Sequence, residues 1–242
     1  MTGHGSSKHL HRLAAPKKMP ILRRTAHYLI KQTPGPHASK ESVSLMVALR
    51  DIIGLAQNAH ESKRVLNSRK VLVDGKVRTD AKFPVGLMDV ISFPGIDAHY
   101  RVIFGRDGKI HLNSIPSSES GKKLCKVLNK TKVKGGKTQL NFHDGRNLLV
   151  DEDKYKTGDS LVLSLPDQKI LGHLPIEKGM QVYITDGKHI GEFAVLKDFH
   201  PMAGSHADRV VLTPKEGDEF ETLNKYVFIC LLYTSPSPRD RT

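Results

Sequence analysis

Lys70-Val71-Leu72-Val73-Asp74-Gly75-Lys76-Val77-Arg78 is the stretch on which the fold turns. Two short β-favouring runs flank Asp74-Gly75, a pair that accepts positive φ at both central positions of a two-residue turn, so the spacing predicts a hairpin. Immediately upstream, Asn58 can cap a short helix, and Glu61 at its third position makes a capping-box-like pattern. Ala59, Ser62, Val65 and Leu66 can then face inward, which leaves Lys63, Arg64, Arg69 and Lys70 on the flank and the exit. Further upstream, Leu45, Leu49, Ile52 and Ile53 recur at i, i+4, i+7 and i+8, an apolar stripe that predicts a helix from Ser42 with Gly54 as its stop. Downstream, Val85 to Phe93 reads as a returning strand with Asp89 between apolar neighbours. Two helices and a small sheet, with cations on the second helix and the hairpin, are expected to form one unit over residues 42–93.

Outside that unit the punctuation changes. Residues 1–41 read as a basic extended arm, because Gly3, Gly5, Pro16, Pro20, Pro34, Gly35 and Pro36 interrupt every possible helix. The arm's apolar residues are too scattered to build a core of their own, so alone it is expected to be largely disordered. Residues 94–175 read as a central β domain, with strands at Tyr100–Phe104, Lys109–Leu112, Leu148–Val150 and Leu161–Leu165 between Gly-containing turns. Pro166 to Pro175 reads as a linker or an edge. Residues 176–229 read as a small β-barrel with strands at Gln181–Ile184, Glu192–Leu196, Arg209–Leu212 and Tyr226–Ile229. The fold class expected is α+β with several domains.

Charge narrows the partner. The chain of 242 residues carries a net +13. Residues 1–40 hold eight Lys/Arg and no acid, and residues 121–138 hold seven Lys and no acid, whereas residues 139–229 hold ten basic and fifteen acidic side chains. Solubility needs dispersed charge of both signs, so two acid-free blocks point to a polyanion. The arm's Lys8, Arg12, Lys17, Lys18, Arg23 and Arg24 are the kind that order on a phosphate backbone. No apolar run approaches the roughly 18 residues of a membrane span. An apolar leader is missing at the N-terminus, so a cytosolic setting is expected. Cys125 and Cys230 stand alone, which predicts neither a disulfide framework nor a zinc finger.

Motifs of catalysis do not survive inspection. Gly136-Lys137-Thr138 has Thr131 where a phosphate-binding loop needs its first glycine, and a strand-like segment follows instead of a helix. His4, His9 and His11 lack Cys or carboxylate partners at ligand spacing and read as basic-arm residues; His200 and His206 read as loop residues. His143-Asp144 has no Ser or Cys elbow, and Gly145 makes it a turn. No catalytic residue, cofactor, metal or small-molecule substrate is expected.

The unit over residues 42–93 resembles the α-L RNA-binding motif of ribosomal proteins, pseudouridine synthases and some tRNA synthetases. The likeness rests on Leu49-Arg50-Asp51, Gly54-Leu55-Ala56, Glu61-Ser62-Lys63-Arg64 and Lys70 through Val77. In that motif the helix pair and hairpin place cations on RNA phosphates, which implies such a role for Lys63, Arg64, Arg69, Lys70, Lys76 and Arg78. Lys8 to Lys17, Pro34-Gly35-Pro36-His37, Gly75 to Asp80, Gly86 to Ser92, Lys123 to Val127 and His143 to Asn147 extend the likeness. Together these segments resemble the family of small-subunit ribosomal protein four of archaeal and eukaryotic type, and the lysine-rich Lys130–Lys137 is closer to its archaeal branch. Gly179 to Leu196, centred on Thr185 to Gly191, is similar to that family's KOW-type barrel.

The resemblance implies a structural constituent of the small subunit that binds ribosomal RNA beside neighbouring ribosomal proteins. Arg50, Lys132, Lys134, Lys137 and Lys188 join the RNA-contact candidates on this ground. Two departures stand out: Glu192 follows Gly191 where the family usually has a second glycine, and residues 230–242 continue past the family's usual end with a foreign-looking Ser-Pro-Ser-Pro run. Two rivals use the same modules. An RNA-modifying enzyme would need a separate catalytic domain, for which the remaining small β units leave no room. A transcription-elongation factor would use the barrel to bind polymerase. Six Tyr, eight Phe and no Trp argue against a protein that stacks successive bases of a single strand.

Overall fold

The computed structural model describes residues 8–133, 135–151, 153–202, 207–214 and 217–230. Lys134, His4, His206 and residues 231–242 of the foreign-looking tail lie outside the described residues. The arm contributes strands β1 (Leu10–His11) and β2 (Tyr28–Leu29), which pair antiparallel. Strand β3 (Ser42–Ser44) leads into helix α1 (Leu45–Val47), which widens into a π-helical turn over Ala48–Ile52. Helix α2 (Ala59–Asn67) follows.

The helix expected from Ser42 therefore begins three residues later, because Ser42–Ser44 pairs with β6 (Pro84–Gly86) as a two-stranded ladder. Every residue from Ser42 to Leu49 is buried, so the sheet pairing and the helix share one inward face. Of the other local readings, Ser62 and Leu66 do face inward, Val65 is half-buried and Ala59 is exposed, and the strand expected over Val85 to Phe93 divides into Pro84–Gly86 and Val90–Phe93, which belong to different sheets. Asn58 Oδ1 accepts from the Glu61 N–H at 2.9 Å, and Glu61 returns a bond by accepting from the Gln57 N–H at 2.8 Å. Gly54, at φ 76°, sits just past the first helical segment.

The hairpin β4 (Leu72–Val73) and β5 (Lys76–Val77) turns on Asp74 and Gly75, at φ 51° and 73°. It forms one edge of a five-stranded sheet of order β5-β4-β7-β8-β9, where β7 is Val90–Phe93, β8 Ala98–Phe104 and β9 Ile110–Ile115. A boundary drawn after Phe93 falls inside this sheet, since β7 and β8 pair across it. After a short helix α3 (Ser117–Ser120) comes a second sheet of order β12-β11-β10-β13-β14. Its strands are β10 (Lys122–Lys132), β11 (Thr138–Phe142), β12 (Asn147–Val150), β13 (Ser160–Ser164) and β14 (Ile170–Leu174). Pro166 to Pro175 thus holds the edge strand β14. The third sheet runs β18-β17-β16-β15-β19, with β15 Gln181–Ile184, β16 Phe193–His200, β17 Arg209–Pro214, β18 Phe220–Leu223 and β19 Val227–Ile229. Its described ladders leave β18 and β19 at the two edges.

The largest core joins these pieces. It gathers Leu45, Leu49 and Leu66 of the helical unit, Val102, Phe104 and Ile110 of β8 and β9, and Tyr183, Ile190 and Phe228 of the last unit. Ala15, Met19 and Leu29 of the arm are buried in the same core, so the arm is anchored at these points where the sequence suggested a loose segment, although many of its residues stay exposed. The reading that the arm cannot build its own core misses that it can complete another one.

Candidate nucleic-acid interface

The amphipathic α2 decides which way the cations point. Ser62 and Leu66 are buried on one face, and Lys63 and Arg64 are exposed on the other, with Arg69 and Lys70 exposed at the exit. Arg69, at φ 58°, turns the chain out of the helix toward β4. Lys76 on the hairpin is also exposed, and the half-buried Arg78 guanidinium lies 4.4 Å from the centroid of the Phe83 ring. None of these six takes part in an ion pair among the described residues, so α2 and the hairpin present uncompensated positive charge.

The remaining candidates divide into free and engaged. Lys8, Lys17, Arg24, Lys132 and Lys188 are exposed and form no ion pair among the described residues. Lys137 is exposed but pairs with Asp151 at 3.0 Å. Arg50 is held by Asp51 through two bonds of 2.9 and 2.8 Å. Lys18 lies 3.4 Å from Asp186 and 4.7 Å from the Phe104 ring, which ties the arm to the last unit. Arg12 is 7% exposed and donates from Nε to the Leu22 carbonyl at 3.0 Å. Arg23 donates to the carbonyls of Ala15 at 2.8 Å, Pro16 at 3.2 Å, and Arg12 and Leu13 at 3.3 Å. Arg12 and Arg23 therefore brace the arm internally.

Beneath this surface lies a charge cluster that the sequence reading did not find. Lys123, in the lysine-rich block, is 1% exposed, and its Nζ lies 2.6 Å from Asp89, 2.7 Å from Asp74 and 2.8 Å from Asp144. Arg146 adds bonds of 2.6 Å to Asp74 and 3.2 Å to Asp144, and His37 Nε2 lies 2.9 Å from Asp89. An added Cβ at Gly86 would overlap the His37 ring, so the small residue there makes room for it. Burial alone would lower Lys123, but the carboxylates of Asp89, Asp74 and Asp144 outweigh it and hold the ammonium well above its ordinary value. Burial likewise works against Asp89 and Asp144, yet His37 and Lys123 hold the former low and Lys123 the latter. The signals for this cluster were the Asp74-Gly75 and Asp144-Gly145 turns, read only as turns. A cleft of about 350 Å³ opens over it, lined by Asp74, Lys76, Arg78, Asp144, Arg146 and Gln168 among others.

Cys125, His143 and Asp144 bring three potential metal donors within 4.8 Å of one another. Their chemistry does not suit an ion. Asp144 is engaged by Lys123, and burial pushes the Cys125 thiol well up, so it stays protonated and donates to Asp144 at 3.6 Å. The neutral His143 ring has both nitrogens in use. Nδ1 accepts from the Lys126 N–H at 3.2 Å, which leaves the Nε2 proton for the Leu87 carbonyl at 3.2 Å.

The loop between β15 and β16, which carries the RNA-contact candidate Lys188, is docked on the protein itself. Gly191, at φ 80°, sits so close to the β8–β9 turn that an added Cβ would meet the Gly105 carbonyl carbon at 2.5 Å. Tyr183 on β15 donates to the Phe104 carbonyl at 2.5 Å and accepts from its N–H at 2.8 Å. Lys126 crosses the other way, donating to the Val227 carbonyl at 2.5 Å.

Comparison with known proteins agrees with this arrangement. Residues 4–40 match the RS4NT (NUC023) domain, residues 45–91 the S4 domain, and residues 96–170 the Ribosomal family S4e. The chain is 44% identical over 237 residues to "Small ribosomal subunit protein eS4" of Methanocaldococcus jannaschii, covering 95% of this chain and 96% of that one. It is 45% identical over 221 residues to the protein of the same name from Methanocella arvoryzae, covering 91% and 93%. The crystal structure of the 30S ribosomal protein S4e from Thermoplasma acidophilum superposes with a TM-score of 0.68 at 34% identity, covering 78% of this chain and 94% of that one. With identity sustained over nearly the whole length and each matched segment in order, the chain belongs to the S4e family of small-subunit ribosomal proteins.

Proposed function

We propose that the chain is a structural constituent of the small ribosomal subunit that holds ribosomal RNA through phosphate contacts and catalyses no reaction. The observation that carries this reading is identity of 42–45% across more than nine-tenths of the chain to relatives named as small-subunit proteins. The exposed cations of α2 and the hairpin support it physically. Lys63, Arg64, Arg69, Lys70 and Lys76 form no ion pair among the described residues, and a duplex or junction backbone would release counterions on meeting them. Lys8, Lys17, Arg24, Lys132, Lys137 and Lys188 are further contacts in this reading, and Arg78 joins through the cleft. The units would be the arm, the α-L unit with its sheet, the central sheet and a C-terminal sheet of KOW type. Its setting would be the cytoplasmic ribosome, beside neighbouring ribosomal proteins. Cosedimentation tests it: the chain should stay with small subunits through a high-salt wash. Quantitative release, with binding to RNA polymerase or to a free RNA substrate instead, would overturn it.

A further inference from the structure

The β1–β2 hairpin of the arm carries four exposed rings on a braced frame. Leu10 pairs with Leu29 and His11 with Tyr28. Strand alternation turns Leu29 into the core and leaves His9, His11 and Tyr28 facing out. The His11 and Tyr28 centroids are 4.8 Å apart, His9 and Tyr28 5.3 Å, His27 and Tyr28 4.4 Å, and His11 and His27 4.7 Å. Tyr28, at the centre, is 51% exposed. The frame is stiff because Arg23 gathers the carbonyls of the turn after β1, and the Arg12 N–H donates to the His27 carbonyl at 3.1 Å. No Asp or Glu occurs in residues 1–40, and Lys8 and Arg24 are exposed nearby in sequence.

We infer that this ring cluster is a stacking platform for an unpaired nucleobase of ribosomal RNA, a base contact added to the phosphate contacts. The inference rests on the RNA-binding reading above and deepens it. A cross-strand aromatic pair can serve only to hold a hairpin together. Here, however, Tyr28 is half exposed, and the segment that carries it, residues 1–40, holds eight cations and no acid. That combination, an open π-face with a backbone-tracking charge beside it, is what a single-stranded nucleotide uses. The platform takes one base or two, which agrees with a chain too poor in aromatics to stack a long strand.

The test uses the full chain with two single-stranded RNA probes of equal length and charge, an oligoadenylate and the same oligomer made with abasic riboses. The chain should bind the oligoadenylate roughly 5- to 150-fold more tightly, the range that one stacked base supplies. Tyr28→Leu, which keeps bulk and strand pairing, should erase that preference while leaving the slope of log affinity against log salt unchanged. Tyr28→Phe should retain it. Equal melting temperatures of the variants exclude unfolding as the cause. A Tyr28→Leu chain that still prefers the oligoadenylate overturns the platform. So does a loss seen only in incorporation into subunits, which would mark a protein neighbour on these rings. Binding to neither probe, with the α2 cations equally without effect, would instead bring down the RNA-binding reading together with the platform.

Discussion

The Lys123 ammonium lies 2.6 Å from the Asp89 carboxylate with both side chains no more than 2% exposed, at the point where the α-L unit, the arm and the central sheet meet. Asp74 and Asp144 share the same cation, and Arg146 and His37 complete a set of three acids and three bases. A buried ion pair is costly to assemble, but removing one partner leaves uncompensated charge in the interior. Lys123→Met is therefore expected to lower the unfolding free energy by about 3 to 5 kcal/mol. Denaturant melts read it directly. A drop below about 1 kcal/mol would mean that Arg146 and His37 suffice and that Lys123 is not the keystone.

The two histidines beside this cluster should titrate on opposite sides of their ordinary value. Burial lowers His37, but Asp89 outweighs it and the net shift is upward. Burial and the nearby Lys123 pull His143 down to about 4. His37 thus contributes stability that is complete below pH 6.5 and is lost as the pH rises through its folded value. His143 contributes stability that is present above 6.5 and is lost as the pH falls toward about 4, a change of about 3 kcal/mol at 1.36 kcal/mol per unit. His143→Gln should flatten the stability profile between pH 6.5 and 4, and His37→Gln should flatten it just above 6.5. Ring-proton titration by NMR checks both, and a His143 that titrates near 6.5 would refute the assignment.

What was legible in the sequence is what short-range rules decide. Asp74-Gly75 made its hairpin, Asn58 capped α2 with Glu61 as partner, and the strands of residues 176–229 fell close to the apolar runs. The cluster was hidden because its members come from distant segments. Lys123 reaches Asp89 and Asp74, 34 and 49 residues earlier, and in a run of seven lysines nothing local sets it apart. The same reason hid the arm's packing: Ala15, Met19 and Leu29 have no periodicity, and the core they join gathers residues from Val43 to Cys230.

Gly191 makes a further test of how the last unit docks. At φ 80° a side chain there is strained, and its Cβ would press on the Gly105 carbonyl, which belongs to backbone and cannot swing away. Gly191→Ala should cost about 2 to 5 kcal/mol, the sum of a left-handed conformation and an overpacked contact. Because Tyr183, through Phe104, holds the last sheet to the same β8–β9 region, Tyr183→Phe should add to that cost less than its single effect. A double-mutant cycle measures this, and strict additivity would show that the Gly191 and Tyr183 interactions are independent.

Exposure separates the cations proposed to hold RNA from the cations that brace the arm. Lys63, Arg64, Arg69 and Lys70 are exposed and make no ion pair among the described residues, whereas Arg23 is occupied by four backbone carbonyls. Neutralising one phosphate-binding cation should reduce the slope of log affinity against log salt by roughly 0.7 to 0.9. Replacing all four α2 and exit residues by Ala is thus expected to flatten the slope by about 3, with the melting temperature nearly unchanged. Arg23→Ala should behave in the reverse way. Its charge-assisted bonds to carbonyls are worth about 1 to 3 kcal/mol of stability, and removing them should lower the melting temperature while leaving the salt slope of the folded chain intact. Deleting the arm through Lys31 should destabilise the fold as well, since Ala15, Met19 and Leu29 leave an apolar face behind. An Arg23→Ala chain that melts like the parent but has a salt slope flatter by about one unit would move Arg23 from the frame of the arm to its RNA-facing surface.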